Sequence, residues 1–386
     1  MVLLKAGIFL PLGNDDWIGG LNYFRNLLIA VNRYSAGRFK VTVMTDRPEL
    51  LEDASGDHGV VENLPVLDWR RHGVMPRLAR LYYRAGFLDF VRLAKARTRG
   101  LDVLSHNNIG YQTTIPTLSW IPDFQHCALP SLFTEADLRQ RDRNIAVANR
   151  MGHVLVSSES ARQDFAQYYP DYSAQVHVLR FASTGGLLDD VAGVSLDELV
   201  QTYQIPRRYI YLPNQFWTHK NHEVVIEALA HCSDKVTVVC TGSTSDHRNA
   251  AHFARLQALV SSHGLNRRFR ILGIVPYAHV LALMRQSVAV LNPSRFEGWS
   301  TPVEEAKLLG KPLLLSSIPV HREQAAGSAR YFDPDDHGSL GTLLEDIMAD
   351  PGPHNPPILA ALTAAAAQRQ SAFVDRYHEI LMKVAR

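Results

Sequence analysis

The chain is poor in the residues that staple or anchor a protein. Among 386 residues there are three cysteines, Cys127, Cys232 and Cys240, with neither a CxxC pair nor a Cys/His ligand spacing. That scatter excludes a disulfide framework and a structural zinc site, and reads as a reduced, cytoplasmic chain. No stretch reaches the ~18 uncharged apolar residues of a membrane span, so any membrane contact is expected to be peripheral, at the inner face. Residues 1–12 are largely apolar, but Lys5 interrupts the run and no small-x-small cleavage pattern follows, so a buried first strand is expected rather than a signal peptide. A net charge of +2 is too small to argue for nucleic acid. Absent too are a GxGxxG after the first strand, a P-loop lysine motif and a GxSxG elbow, which argues against dinucleotide-dependent oxidoreductases and P-loop enzymes.

What is present is an ordinary globular balance, 46% hydrophobic and 20% charged, in a length that suits two or three domains. Short apolar runs alternate with helix-length segments. The candidate strands are residues 5–10, 39–44, 103–106, 117–121 and 153–157, then 209–212, 236–241, 269–272, 289–292 and 312–315. Strands so continuously apolar imply parallel sheets covered on both faces, and two such sets imply two doubly wound α/β domains. The expected division is an N-terminal domain over 1–185, a linker over 186–207 and a C-terminal domain over 208–357. The last of these ends where Pro351, Gly352, Pro353, Pro356 and Pro357 stop a helix. A helical tail over 358–386, with apolar spacing at Phe373, Tyr377 and Leu381, is expected to pack back on the N-terminal domain.

The stretch from Arg70 to Arg99 holds nine cations interleaved with Leu78, Leu81, Tyr82, Tyr83, Phe87 and Phe90. It reads as a solvated helix face with snorkelling arginines, as a basic amphipathic surface for anionic lipid headgroups or, third, as a nucleic acid contact.

Chemistry concentrates in four segments. The first runs Asn292-Pro293-Ser294-Arg295-Phe296-Glu297-Gly298-Trp299-Ser300-Thr301-Pro302, then on to Glu304 and Glu305. A strand enters a turn, and a helix starts near Ser300, where Ser or Thr can cap and Pro302 suits the first turn. Backbone N–H groups at such a start, at the strand ends of an open sheet, suit a phosphate. Glu297 lies before the helix and Glu305 within it, and both can look into one crevice. The second, Asn214-Gln215-Phe216-Trp217-Thr218-His219-Lys220-Asn221-His222, follows a strand and opens a helix, which lets Lys220 reach a diphosphate. The third is Trp120-Ile121-Pro122-Asp123-Phe124-Gln125-His126, followed by Leu129-Pro130 and Phe133. The fourth is Trp17-Ile18-Gly19-Gly20, where two glycines permit close backbone approach to a ligand.

The Glu297-to-Glu305 phrase resembles the Glu-x7-Glu motif of the retaining glycosyltransferases called group 1, or family 4. The resemblance implies a GT-B architecture, two Rossmann-like domains facing across a deep cleft, with the donor bound mainly by the C-terminal one. It implies that Glu297 sits beside the donor sugar, that Glu305 holds the ribose hydroxyls and that Glu304 points away. It places the donor around Arg295, Gly298, Trp299, Ser300 and Thr301. Lys220 matches the family's pyrophosphate lysine, whereas Gln215 stands where the family usually has arginine; His219, His222 or Arg295 could compensate. His126 matches a histidine that faces the donor sugar, with Asp123 orienting the loop or meeting the acceptor. Gly19 and Gly20 match a loop beside the donor phosphates, and Gly273-Ile274-Val275-Pro276 resembles the segment whose backbone meets the base. Asp333-Pro334-Asp335 matches a metal-binding DxD string but is read as structural.

The expected activity is therefore transfer of a sugar, with retention, from a nucleotide-diphosphate sugar to a glycan or lipid-linked acceptor. No cofactor, no divalent metal and no nucleic acid partner are expected. A nucleotide-sugar epimerase and a non-catalytic nucleotide-sugar binding protein are the alternatives.

Overall fold

The computed structural model describes residues 3–10, 18–63, 96–97, 99–107, 114–181, 193–246, 248–350 and 359–386. Most of the basic stretch, residues 70–95 and 98, therefore lies outside the described residues, as do Trp17, residues 186–192 of the linker and the proline cluster at 351–357. The chain divides into two compact units, one of residues 1–124, 135–184 and 368–386, the other of 125–134 and 185–367.

The first unit holds a seven-stranded sheet, entirely parallel. Its strands are β1 (Leu4–Leu10), β2 (Phe39–Thr45), β3 (Gly59–Asn63), β4 (Val103–Ser105), β5 (Thr117–Trp120), β6 (His153–Val156) and β7 (Gln175–Val178). They run in the order β3-β2-β1-β4-β5-β6-β7. The order reverses between β1 and β4, the place where a doubly wound sheet opens a crevice at its carboxyl edge. Helices α1 (Ile18–Tyr34), α2 (Gln125–Ala128), α3 (Glu135–Met151) and α4 (Glu159–Tyr168) connect these strands, α2 itself falling with the second unit. The C-terminal helix α12 (Leu359–Val384) ends in this unit. Its buried Phe373, Val374, Tyr377, Ile380, Leu381 and Val384 form the apolar stripe of a helix with one covered face.

The second unit holds a six-stranded parallel sheet in the order β10-β9-β8-β11-β12-β13. These are β8 (Ile210–Leu212), β9 (Val238–Cys240), β10 (Phe269–Ile271), β11 (Ala289–Asn292), β12 (Leu313–Ser316) and β13 (Ala329–Phe332). The helices are α5 (Leu196–Tyr203), α6 (His222–Ala230), α7 (His252–Ser262), α8 (Tyr277–Gln286), α9 (Thr301–Leu308), α10 (Pro319–Ala325) and α11 (His337–Ala349). Alternation along each strand builds two cores. Ile210, Leu212, Val238, Ala289 and Leu291 face one side, while Tyr209, Tyr211, Val239 and Val290 face the other. Because both faces are covered, the central strands read as unbroken apolar runs. The switch point lies between β8 and β11, so the loops leaving Leu212 and Asn292 emerge side by side.

All ten expected strands are present within a residue or two of their expected ends. Three further strands, β3, β7 and β13, lie at sheet edges and carry exposed Asn63, Gln175 and Arg330. Glycines 19 and 20 are not in a loop. They fall in the first turn of α1, Gly19 exposed and Gly20 buried.

Candidate donor site at the carboxyl edge of the second sheet

The two loops of the switch point meet through charge. Lys220 ends a 3-10 turn (Thr218–Lys220) between β8 and α6, and its Nζ lies 2.6 Å from Glu297 Oε1. The pair is well covered, with side-chain exposures of 13% and 8%. A charge pair taken out of water this far persists only when further hydrogen bonds support it. Ser294 provides one, its Oγ lying 2.7 Å from Glu297 Oε1 and 2.7 Å from Asn292 Oδ1. Asn214 Nδ2 donates to the same Asn292 oxygen at 2.9 Å, which ties the end of β8 to the end of β11. The Arg295 N–H donates to the His219 carbonyl at 2.8 Å, joining the loops a second time.

A second network holds the start of α9. Asn292 Nδ2 donates to Ser300 Oγ at 2.8 Å, and the Ser300 N–H donates to Gln324 Oε1 at 3.1 Å. The Ser300 hydroxyl is thus turned toward β11 and makes no cap, contrary to the sequence expectation. The helix start keeps no side-chain cap, and Thr301 and Pro302 open its first turn. Glu304 is buried against Lys307 Nζ (3.1 Å) and Gln324 Nε2 (3.2 Å). Glu305 is buried as well and accepts a hydrogen bond from the Tyr277 hydroxyl at the start of α8. Burial pushes the Glu305 carboxyl up to about 7, and the Tyr277 bond works against that rise. Trp299 has a buried indole N–H with no hydrogen-bond partner among the described residues.

The three groups expected to compensate for Gln215 do not supply a free cation. Burial and the neighbouring Lys220 and Arg248 charges hold the His219 imidazole well below its usual range. His222 is fully buried, stacked on Phe216 at 4.2 Å, and burial lowers it to about 3. Both rings are therefore neutral at pH 7. Arg295 is ion-paired with Asp335, whose N–H is in turn held by Asp333 Oδ1 at 2.9 Å. A cation that the motifs do not flag is Arg248, whose Nη2 lies 3.4 Å from His219 Nδ1 and whose Nε is itself 3.8 Å from the buried Asp246 Oδ1. Its guanidinium lies over the rings of Phe133 (5.0 Å) and Trp217 (5.5 Å) and donates to Gln125 Oε1 at 2.8 Å. No motif flags this residue; a signal was available only as a cation following the Gly242 turn after β9.

Gly242 itself is fixed by the site. Its φ of +141° suits glycine, and a Cβ there would come within 2.5 Å of the Asn214 carbonyl oxygen and 2.8 Å of Gln215 Cα. The Gln215 backbone is thereby pressed against the β9 loop.

The remaining candidates fall as follows. His126 lies on α2, buried, with Nε2 3.4 Å from Cys127 Sγ and its ring edge-on to Phe133. Residues 125–134 fall with the second unit, so His126 and Arg248 share a unit. Asp123 belongs to the first unit, where it accepts from Arg141 Nη1 at 2.9 Å. Ile274 is 72% exposed beside Val275, which packs against the second core. Among the described residues no group of three or more His, Cys, Asp and Glu side chains is arranged to hold a metal ion. Nor, among them, is any helix long and apolar enough to cross a membrane.

Known proteins fall in line with this geometry. Residues 201–368 match the model of the family glycosyl transferases group 1. The O-antigen chain mannosyltransferase RfbU of Salmonella typhimurium is 24% identical over 198 residues, and the match spans 51% of each chain. The chain thus aligns with about half the length of that curated relative. Among solved structures, Anabaena HepE in complex with UDP superposes with a TM-score of 0.70 at 17% identity, covering 99% of this chain and 100% of that one. A glycosyltransferase from Rickettsia africae ESF-5 gives 0.68 at 12% identity, covering 99% and 98%. The fold is that of the GT-B glycosyltransferases. Lys220, Glu297 and Glu305 all lie within residues 201–368, the span that matches the group 1 glycosyl transferases.

Proposed function

We propose that the chain is a glycosyltransferase that moves a sugar from a nucleoside-diphosphate sugar to a glycan or lipid-linked acceptor, without a divalent metal and with retention of configuration. The observation that carries the reading is the covered Lys220–Glu297 pair at the switch point, with buried Glu305 one helix turn beyond. The likeness to an O-antigen mannosyltransferase and to a protein solved with UDP supports the donor class and a cell-surface polysaccharide setting.

Transfer leaves a diphosphate whose negative charge grows as the glycosidic bond breaks. Fixed cations and dipoles aimed at that charge are the largest lever on the barrier. An ammonium has three donors, so Lys220 can keep Glu297 and still reach a phosphate oxygen. The uncapped start of α9 supplies backbone N–H groups and the positive end of a helix dipole. Glu297, held by Lys220 and Ser294, is assigned to the sugar hydroxyls, and Glu305 to the ribose. A ribose diol donates to a carboxylate, so donor binding draws Glu305 toward its ionised form. Within the second unit, His126 is assigned to the sugar, and Ile274 and Val275 to the base.

The test is calorimetric titration of the protein with UDP, GDP and ADP, each with EDTA and again with magnesium. Binding of one of them in EDTA, abolished by Lys220→Ala, is the expected result. A requirement for magnesium would overturn the metal-independent reading. NMR of the transfer product, read for anomeric configuration, tests retention.

A further inference from the structure

One group at the same carboxyl edge has no part in that account. His321 sits in the first turn of α10, directly after β12, the strand that neighbours β11. Its side chain is fully buried. Nδ1 lies 3.0 Å from the Ser316 carbonyl oxygen and 3.1 Å from Ser316 Oγ. A carbonyl only accepts, so Nδ1 carries the proton. Nε2 is left as a buried lone pair with no hydrogen-bond partner among the described residues.

The ring is tied to the framework of the donor site. Ser316 Oγ donates to the Ser294 carbonyl at 2.5 Å, and Ser294 Oγ touches Glu297. The charges that act on the imidazole are Glu297, which favours its protonation, and Lys220, which opposes it. Burial outweighs both and holds the ring down to about 4, so it is neutral at working pH. A neutral buried acceptor beside a carboxylate and an ammonium suits a ligand that donates a hydrogen bond and has no charge. A metal cation would meet the Lys220 ammonium there, and an anion would meet a lone pair. A hydroxyl meets neither objection. Buried acceptors are seldom left unpaired, so the Nε2 lone pair calls for a partner from outside the protein, and a ligand hydroxyl is one.

We propose that His321 is a donor-sugar-binding residue, its Nε2 accepting a hydroxyl of the sugar beside Glu297. The assignment rests on the donor-site reading above. It makes His321 a specificity residue: a sugar that lacks the hydroxyl, or turns it to the other face of the ring, leaves the lone pair unmet.

Two substitutions divide the ring's two roles. His321→Asn keeps an N–H where Nδ1 stands and can still donate to the Ser316 carbonyl, but it removes the acceptor. His321→Gln places an amide oxygen near the Nε2 position and gives up the Ser316 bond. Both are titrated calorimetrically with UDP, GDP, UDP-glucose and GDP-mannose, and melted in parallel. The expected result is that His321→Asn melts close to wild type and binds the bare nucleotide as wild type does. Its affinity for the matching sugar nucleotide falls about tenfold, and His321→Gln recovers most of that loss. An equal loss for nucleotide and sugar nucleotide, or no loss for either, overturns the assignment while leaving the donor site standing. Failure of the wild-type protein to bind any of the four overturns the donor-site reading, and this assignment with it.

Discussion

The two units place buried polar side chains at the same topological position, and they use them in opposite ways. At the switch point of the first sheet, Tyr377 donates to Ser105 Oγ at 2.8 Å, Ser105 meets His106 Nδ1 at 2.8 Å, and His106 Nε2 meets the Tyr23 hydroxyl at 2.8 Å. Asn107 closes the edge by pairing with both backbone groups of Phe9. His106 takes a left-handed φ of +58°, unusual for a residue with a side chain, and the chain of bonds holds it there. Every link has a partner. At the switch point of the second sheet the framework is just as polar, but His321 Nε2 and the Trp299 N–H are left without one among the described residues. Buried polarity alone therefore does not mark a ligand site, and an unpartnered atom such as the buried Ser119 Oγ of the first sheet does so only where other groups of a site surround it.

That contrast is broken most sharply at Lys220. Removing one member of a buried pair strands the other, so Lys220→Ala is expected to lose about 3–5 kcal/mol in urea denaturation, together with all nucleotide binding. The double variant Lys220→Met with Glu297→Gln should recover most of the stability and none of the binding. Recovery of both would mean that the pair serves only the fold.

Glu305 gives the next effect. Burial pushes its carboxyl up to about 7 in the fold, against an ordinary value of 4.5. The folded state thus binds more protons than the unfolded chain between those values, and stability falls as pH rises through that window. Glu305→Gln is expected to exceed wild type by as much as about 3 kcal/mol at pH 8 and to match it at pH 4, by thermal melts. It should bind nucleotide more weakly at both. A stabilised variant with unchanged affinity would remove Glu305 from the ribose.

Gln215→Arg tests whether the second sheet lacks a cation. With His219 and His222 neutral and Arg295 paired, the added guanidinium should tighten UDP or GDP about tenfold and steepen the salt dependence. An unchanged Kd would show that Arg248 already supplies that charge. The smallest effect belongs to the closed chain of the first unit. Tyr377→Phe should cost about 1 kcal/mol and leave nucleotide affinity alone.

The sequence carried the parts of this molecule whose causes are local. Central strands were legible because burial on both faces makes them continuously apolar. The strands β3, β7 and β13 escaped because Glu62, Gln175 or Arg330 interrupts the apolar run, whereas β10, also at an edge, was legible between Phe269 and Ile271. Lys220, Glu297 and Glu305 were legible because strand, turn and helix fix their spacing. Asn292, Ser294, Gln324 and Arg248 were not, since each acquires its partner from another loop. The Ser300 hydroxyl departs from its expected cap for the same reason: a cap is a local competition, and Asn292 wins it from across the turn.

The ten residues from Gln125 to Thr134 pack with the second unit although the chain places them inside the first. Whoever wishes to excise the second unit as a free-standing fragment would cut near residue 185 and leave that peptide behind. Arg248 would then lose Gln125 and the Phe133 ring on which its guanidinium rests. Such a fragment needs the peptide returned to it, as a separate strand of polypeptide or through a permuted connection, before its behaviour speaks for the intact chain.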